Sequence, residues 1–145
     1  MIIALGADHG GYDYKQQLIL DLKANGYDVI DVGSYDKEMS DYPIFAGKVA
    51  ELVQKNAANF GVVLCTSGEG VCIMANKFKG IRCGIGYNDD VSLALRVHNH
   101  ANMITFGAKY MKYEDVFRRI ILFVNGVEEG GRHDRRVNLI NEIDK

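Results

Sequence analysis

Short apolar runs recur along the chain, and a longer segment with helical spacing of its apolar residues follows each one. The runs lie at residues 2–6, 29–32, 62–64, 81–87 and 103–106. In the segments between them, apolar residues stand three or four positions apart, as Leu18 and Leu22 do. Five short strands that alternate with helices predict right-handed β-α-β units and a parallel sheet covered by helices on both faces.

Glycine, proline and short polar residues set the predicted ends of the helices. Gly26 and Gly126 stand where helices commonly end, and Pro43 lies where a second helix begins. The predicted helices cover residues 12–25, a segment from residue 41, a segment after residue 70, and residues 91–98, 114–125 and 135–144. The last of these has Val137, Ile140 and Ile143 on one face.

This order of elements predicts an α/β fold with a single domain that spans residues 1–145. The specific expectation is a doubly wound, Rossmann-like three-layer sandwich with a five-stranded parallel sheet and a C-terminal helix. A chain of 145 residues is long enough to bury one hydrophobic core, and its 48% hydrophobic and 25% charged residues are ordinary for a folded protein.

Charge and cysteine content narrow the class of protein. A net charge of −2 provides no field that would attract nucleic acid, and no window is long and apolar enough for a membrane span or a signal peptide. Cys65, Cys72 and Cys83 are an odd number of thiols without zinc-site spacing, so we expect neither a disulfide framework nor a structural metal. We therefore expect a soluble, cytoplasmic protein without a membrane or nucleic-acid partner.

The turn after the third strand carries the most specific chemical signal. Ligands bind outside the carboxyl ends of the strands in such sheets, and here the chain reads Cys65-Thr66-Ser67-Gly68-Glu69-Gly70. Free backbone N–H groups at a strand-to-helix turn can hold an anion or an oxyanion, and the same environment favours a reactive thiolate. A buried, purely structural Cys65 is an equally good interpretation of this residue alone.

The sequence of this turn does not match other known phosphate-binding motifs. A cysteine phosphatase would have an arginine where this chain has Val71, and the glycine spacing matches neither the dinucleotide fingerprint nor the Walker sequence. The turn is therefore predicted to bind something smaller than a nucleotide. We give Cys72 and Cys83, which lie in a predicted helix and strand, a structural role.

Three further groups of polar residues have both a functional and a structural interpretation. Asp8-His9 ends the first strand and can reach the same crevice as Cys65, or Asp8 can merely satisfy backbone donors. His98 and His100 close the fourth helix, where either can serve as a C-terminal cap. The basic segment 130–136 is either a phosphate clamp or a solvated charged face.

Taken together, five motifs in this order resemble the ribose-5-phosphate isomerase B family, which includes the galactose-6-phosphate isomerase subunits. The resemblance covers essentially the whole chain. The motifs are Asp8-His9-Gly10-Gly11, Asp41-Tyr42-Pro43, the cysteine turn with the later segment 75–82, His98-Asn99, and Gly130-Gly131-Arg132-His133 followed by Arg136.

The resemblance implies cofactor-free and metal-free aldose–ketose isomerisation of a sugar phosphate in the pentose phosphate pathway. It implies that Cys65 is the base between C1 and C2, that His98 helps open the sugar ring, and that Ser67 keeps the hydroxyl of the family's turn. The implied substrate-binding residues are Asp8, His9, Tyr42, Thr66, Gly68, Glu69, Gly70, Asn99, Lys109, Arg132 and Arg136. It also implies a homodimer, or a dimer of dimers, whose active sites are shared between subunits.

Several positions depart from the family pattern and leave the substrate open. Thr66 stands where glycine is usual, Glu69 adds a carboxylate beside the anion site, His100 replaces an aspartate, and Lys109 replaces an arginine. Ribose 5-phosphate and ribulose 5-phosphate are the first expectation. A hexose 6-phosphate isomerase of the allose or galactose type, and a sugar-phosphate-binding partner subunit without turnover, are the alternatives.

Overall fold

A five-stranded parallel sheet forms the centre of the structure, a computed structural model that describes residues 1–145. The strands are β1 (Ile2–Ala7), β2 (Asp28–Asp31), β3 (Phe60–Cys65), β4 (Cys83–Ile85) and β5 (Met103–Gly107). They lie in the order β2-β1-β3-β5-β4, and every neighbouring pair is parallel.

Six helices surround this sheet: α1 (Tyr12–Ala24), α2 (Tyr42–Gln54), α3 (Glu69–Ala75), α4 (Asp89–Val97), α5 (Tyr113–Asn125) and α6 (Arg132–Glu142). Residues of α1 and α5 pack with alternate residues of β1 and β3 in one apolar cluster, and α2 and α3 form a second cluster on the opposite face. Because strand side chains alternate between faces, both sides of the sheet are buried. The predicted doubly wound α/β sandwich is thereby confirmed. No helix combines the length and apolar character needed to cross a lipid bilayer.

Two predicted elements have different bounds in the structure. The strand expected at residues 81–87 contains only Cys83–Ile85. Side-chain amides replace the ladder at its start, because Asn102 Oδ1 accepts the Arg82 N–H and Asn76 Oδ1 accepts the Cys83 N–H, both at 2.9 Å. The last helix begins at residue 132 rather than 135, immediately after Gly131, whose φ of 66° lets the chain turn directly into α6.

The burial of α6 differs from that of an ordinary amphipathic helix. Val137 is 5% exposed, but Leu139, Ile140 and Ile143 are 65%, 48% and 87% exposed. Part of the apolar surface of α6 therefore has no partner within the chain.

A buried cation connects the first helix to the edge strand β2. Lys15 on α1 is fully buried, and its Nζ lies 2.9 Å from Asp31 Oδ1 and 2.7 Å from Gln16 Oε1. The rings of Tyr12 and Tyr35 lie 5.5 Å and 6.0 Å from the same nitrogen. Burial removes the hydration of the Lys15 ammonium group. The Asp31 carboxylate, the Gln16 side-chain oxygen and the two aromatic rings offset that loss.

We expect Asp31→Asn to lower the free energy of unfolding by about 2 kcal/mol, because it leaves the Lys15 charge buried without a counter-ion. This value is below that of a fully buried pair, since the Asp31 side chain is 27% exposed. Urea denaturation at a fixed protein concentration measures the effect. Asp28→Asn, at an exposed position of the same strand, is the matched control. Equal stability of the two variants would contradict the role given to the pair.

Candidate active site

The β3–α3 turn folds back onto the thiol that precedes it. Cys65 is 5% exposed at the end of β3, and the Gly68 N–H donates to its Sγ at 3.1 Å. Gly68 has a φ of 83°, and a Cβ there would lie 2.9 Å from the Phe106 carbonyl carbon, so only glycine fits this position without strain.

The rest of the turn is fixed by its neighbours in β5 and the loop beyond. Thr105 Oγ1 donates to the Gly68 carbonyl at 2.9 Å, and the Lys109 N–H donates to the Thr66 carbonyl at 3.2 Å. The Glu69 N–H donates to Ser67 Oγ at 3.2 Å. Thr66 and Glu69 are exposed and Ser67 is half-buried, so these three side chains face solvent while the backbone of the turn stays anchored.

The turn after β1 lies directly beside the cysteine turn. A Cβ built on Gly10 would overlap Thr66 Oγ1, which shows how closely the two turns approach. Asp8 is 5% exposed, and its Oδ1 accepts the Gly10 N–H at 2.9 Å. Asp8 therefore does satisfy a backbone donor, as the structural interpretation predicted, and it does so beside the Cys65 crevice.

The ring of His9 is held by a residue that sequence reasoning missed. The Ser40 N–H donates to His9 Nδ1, and the His9 N–H donates to Ser40 Oγ, both at 3.2 Å. The two residues are 31 positions apart, and the irregular segment that carries Ser40 gives no periodic signal. Its position immediately before the Asp41-Tyr42-Pro43 motif is the only hint in the sequence.

Ten of the fourteen predicted site residues belong to this C-terminal edge of the sheet. Tyr42 joins them because its ring lies against Gly70, where a Cβ would come within 2.6 Å of Tyr42 Cε2. Lys109 joins them through the backbone bond of its amide to the turn. The group, which we call the thiol cluster, comprises Asp8, His9, Tyr42, Cys65, Thr66, Ser67, Gly68, Glu69, Gly70 and Lys109.

The other four predicted residues lie at the opposite edge of the sheet. His98 and Asn99 follow α4, just before β5 begins, and Asn102 in the same loop accepts the N–H of Gly61 near the start of β3. Arg132 and Arg136 are on α6. We call His98, Asn99, Arg132 and Arg136 the imidazole–arginine cluster. It is separated from the thiol cluster by the length of a five-residue strand, about 15–20 Å at the usual rise.

The imidazole–arginine cluster is cationic and open. Arg132 and Arg136 are exposed, one helical turn apart on α6, and neither forms a salt bridge within the chain. The His98 ring stacks on the His133 ring with centroids 4.3 Å apart. Burial, followed by the charges of His98 and Arg132, lowers the pKa of His133.

His100 has a structural role, but not that of the helix cap predicted for it, because His98 occupies the C-cap position of α4. It is 6% exposed, and its Nε2 lies 2.8 Å from the Glu129 carbonyl oxygen. Its Nδ1 lies 3.6 Å from Glu128 and 3.8 Å from Asp134. The histidine that replaces the family's aspartate thus fastens the loop before α6 to the end of α4.

A cavity of about 430 Å³ is not lined by Cys65. It lies between β4 and α6, and its lining includes Ile81, Asn99, Ile140 and Ile143. This cavity therefore adjoins the exposed apolar residues Ile140 and Ile143 rather than the thiol cluster.

The other two cysteines, Cys72 on α3 and Cys83 on β4, lie close to each other. Hydrogen bonding to Cys83 lowers the pKa of Cys72 to about 7, against the opposing effect of burial and with a further contribution from Thr105. The same contact, together with burial, raises the pKa of Cys83. Cys72 is half-buried and its Sγ donates to the Cys83 carbonyl at 3.5 Å, so the structural role assigned to both residues stays a prediction.

The fold and the thiol-bearing turn define an α/β protein of the sugar-isomerase type. The chain matches the Ribose/Galactose Isomerase family over residues 3–140 and belongs to that family. It is 36% identical to ribose-5-phosphate isomerase B of Escherichia coli, in an alignment that covers 99% of this chain and 96% of that protein.

Solved structures of relatives agree with this assignment. Ribose-5-phosphate isomerase B from Clostridium thermocellum superposes with a TM-score of 0.97 at 38% identity, over 99% of this chain and 97% of that one. Ribose-5-phosphate isomerase B from Mycoplasma genitalium, solved with bound ribulose-5-phosphate, superposes with a TM-score of 0.95 at 30% identity, over 99% and 95% of the two chains.

We expect alkylation of Cys72 by iodoacetamide to have its half-maximal rate near pH 7, because the thiolate forms as the pH rises through the pKa. Cys83, with its raised pKa, should remain unlabelled at the same pH. Cys83→Ala removes the partner and should move the midpoint for Cys72 upward, toward about 9. Mass spectrometry of the labelled peptide against pH measures both midpoints, and an unchanged midpoint in Cys83→Ala would refute the pairing.

Proposed function

We propose that the protein is a cofactor-independent aldose–ketose isomerase that interconverts ribose 5-phosphate and ribulose 5-phosphate. The observation that carries the proposal is the position of Cys65, a buried thiol whose sulfur accepts a backbone N–H from the turn that follows it. Full-length similarity to ribose-5-phosphate isomerases B supports the substrate.

In the proposed reaction the Cys65 thiolate removes the proton on C2 of the open-chain aldose. The electron pair of the broken C–H bond forms a C1–C2 double bond, and the aldehyde oxygen becomes an oxyanion. Return of the same proton to C1, with a proton passing from O2 to O1, gives the ketose. We assign the second transfer to the Ser67 hydroxyl, and stabilisation of the oxyanion to the N–H groups of the turn.

The same turn bears on the choice between pentose and hexose phosphates. The exposed Thr66 and Glu69 side chains stand at the edge of the crevice, where they limit the space and the charge available to the sugar chain. Similarity to the named relatives favours the pentose. The three free thiols are compatible with the reducing cytoplasm in which we place the enzyme.

We further assign ring opening to His98 and phosphate binding to Arg132 and Arg136, acting on a substrate held by the thiol cluster of another subunit. The distance between the two edges of the sheet supports this arrangement, since one chain cannot bring both clusters to one small sugar. Two guanidinium groups without carboxylate partners suit a phosphate dianion. The exposed apolar residues of α6 give a second copy of the chain a surface on which to pack.

Cys65→Ala should lower kcat/KM for ribose 5-phosphate about 10²–10⁴-fold, because the base is lost. Binding of a sugar phosphate should persist, since the phosphate contacts are elsewhere. Cys72→Ala, which removes a thiol of the following helix α3, is the matched control and should retain activity.

Three outcomes of this assay are informative. Full activity in Cys65→Ala would refute the assigned base and make Glu69 the next candidate. A higher kcat/KM for allose 6-phosphate than for ribose 5-phosphate in the unmodified protein would replace the pentose by a hexose. Binding without any turnover would identify a sugar-phosphate-binding subunit.

The shared site predicts that two inactive variants restore each other. Cys65→Ala and His98→Asn disable different halves of the proposed site, so a mixed dimer contains one intact site and one doubly defective site. Random exchange of subunits at equal amounts should recover about a quarter of the wild-type activity. The measurement is isomerase activity after mixing and equilibration, with each variant alone as the control. Absence of recovery, with subunit exchange verified by mass spectrometry, would place both residues in the same chain's site.

A further inference from the structure

Three side chains near the end of α4 and the start of α6 converge as a set of metal ligands. The carboxylate Oε2 of Glu129 lies 3.8 Å from His98 Nε2 and 3.5 Å from His133 Nε2. One potential ligand atom from each residue lies within 4.8 Å of the other two. Donor atoms that share a tetrahedral zinc ion stand about 3.4 Å apart, given bond lengths of about 2.0–2.1 Å.

His133 supplies an independent sign that this cluster can bind a ligand. Its side chain is 10% exposed, yet its Nε2 is buried and has no hydrogen-bond partner. The gap of 3.5 Å to Glu129 is too long for a good hydrogen bond. A buried imidazole nitrogen normally has a partner, and the nearest polar atom given for this one is the Glu129 carboxylate.

We propose that His98, Glu129 and His133 form a binding site for a divalent transition-metal ion of the zinc and nickel class. Two imidazoles and one carboxylate are a common ligand set for such ions when a fourth position stays open to water. His98 is 46% exposed and Glu129 58% exposed at their side chains, so both can rotate toward the fixed nitrogen of His133. Because the two imidazole rings are stacked at 8°, the exposed His98 ring must rotate out of the stack to share an ion with His133.

The surrounding charges set a limit on the affinity. Arg132 and Arg136 on α6 flank His133 and oppose a cation, while Glu129 compensates one positive charge. We therefore expect the site to bind the ion reversibly, with a lower affinity than that of a structural metal site. A metal on His98 Nε2 would engage the side chain assigned to ring opening, so the ion would inhibit the isomerase. This consequence rests on the proposed function, whereas binding itself does not.

Calorimetric titration of the untagged, full-length protein with Ni²⁺ tests the site directly. We expect one ion per chain, and a loss of affinity of about tenfold or more in Glu129→Gln and in His133→Asn. Glu128→Gln, which changes a neighbouring carboxylate that faces Arg96 and His100 instead, should bind Ni²⁺ as the wild type does. Because the Glu129 side chain is exposed, Glu129→Gln keeps the test valid even where His133→Asn does not fold.

Two results would overturn the proposal. One is unchanged Ni²⁺ affinity in Glu129→Gln, and the other is a loss of binding in a variant with all three cysteines replaced by serine, which would assign the ion to the thiols. The inhibition is measured separately, as the activity lost on adding Ni²⁺ and regained with EDTA. An inactive protein that still binds Ni²⁺ through Glu129 would contradict the proposed function and leave the metal site standing.

Discussion

The parallel sheet imposes one constraint on which the arrangement of all polar groups depends. Each strand delivers its last residues to the same edge, and each helix returns the chain to the other edge before the next strand begins. Residues that follow strands, such as Asp8 and Cys65, are therefore neighbours, while residues that follow helices, such as His98, collect on the far side. No rearrangement short of unfolding brings the two groups together within one chain.

This constraint also explains how much of the structure can be predicted from the sequence. The alternation of apolar runs with helical spacing gives the fold class, because burial on both faces of the sheet leaves a strong periodic signal. The same alternation also indicates at which edge of the sheet each polar residue lies, whereas the family motifs alone do not. The bounds of β4 and α6 were wrong, since side-chain amides of Asn76 and Asn102 and the backbone of Gly131 determine them.

Side-chain pairing across long distances in sequence could not be predicted at all. The interaction of Cys72 with Cys83 joins α3 to β4, and it changes the acidity of both thiols in opposite directions. Spacing rules for cysteines address disulfides and metals, and they contain no pattern for a hydrogen-bonded dithiol. Likewise, Ile140 and Ile143 give α6 the periodicity of a buried helix, yet both side chains are exposed in the chain.

The reciprocal bonds between His9 and Ser40 have a consequence for recognition. An imidazole nitrogen that accepts an amide N–H cannot carry the proton itself, so the neutral ring of His9 is held as the tautomer protonated on Nε2. At Nε2, His9 consequently offers a donor and no lone pair. A ligand oxygen would satisfy that nitrogen, whereas a ligand hydroxyl that must donate would find no acceptor there. The irregular segment that ends at Ser40 thus sets the polarity of the outer nitrogen of His9.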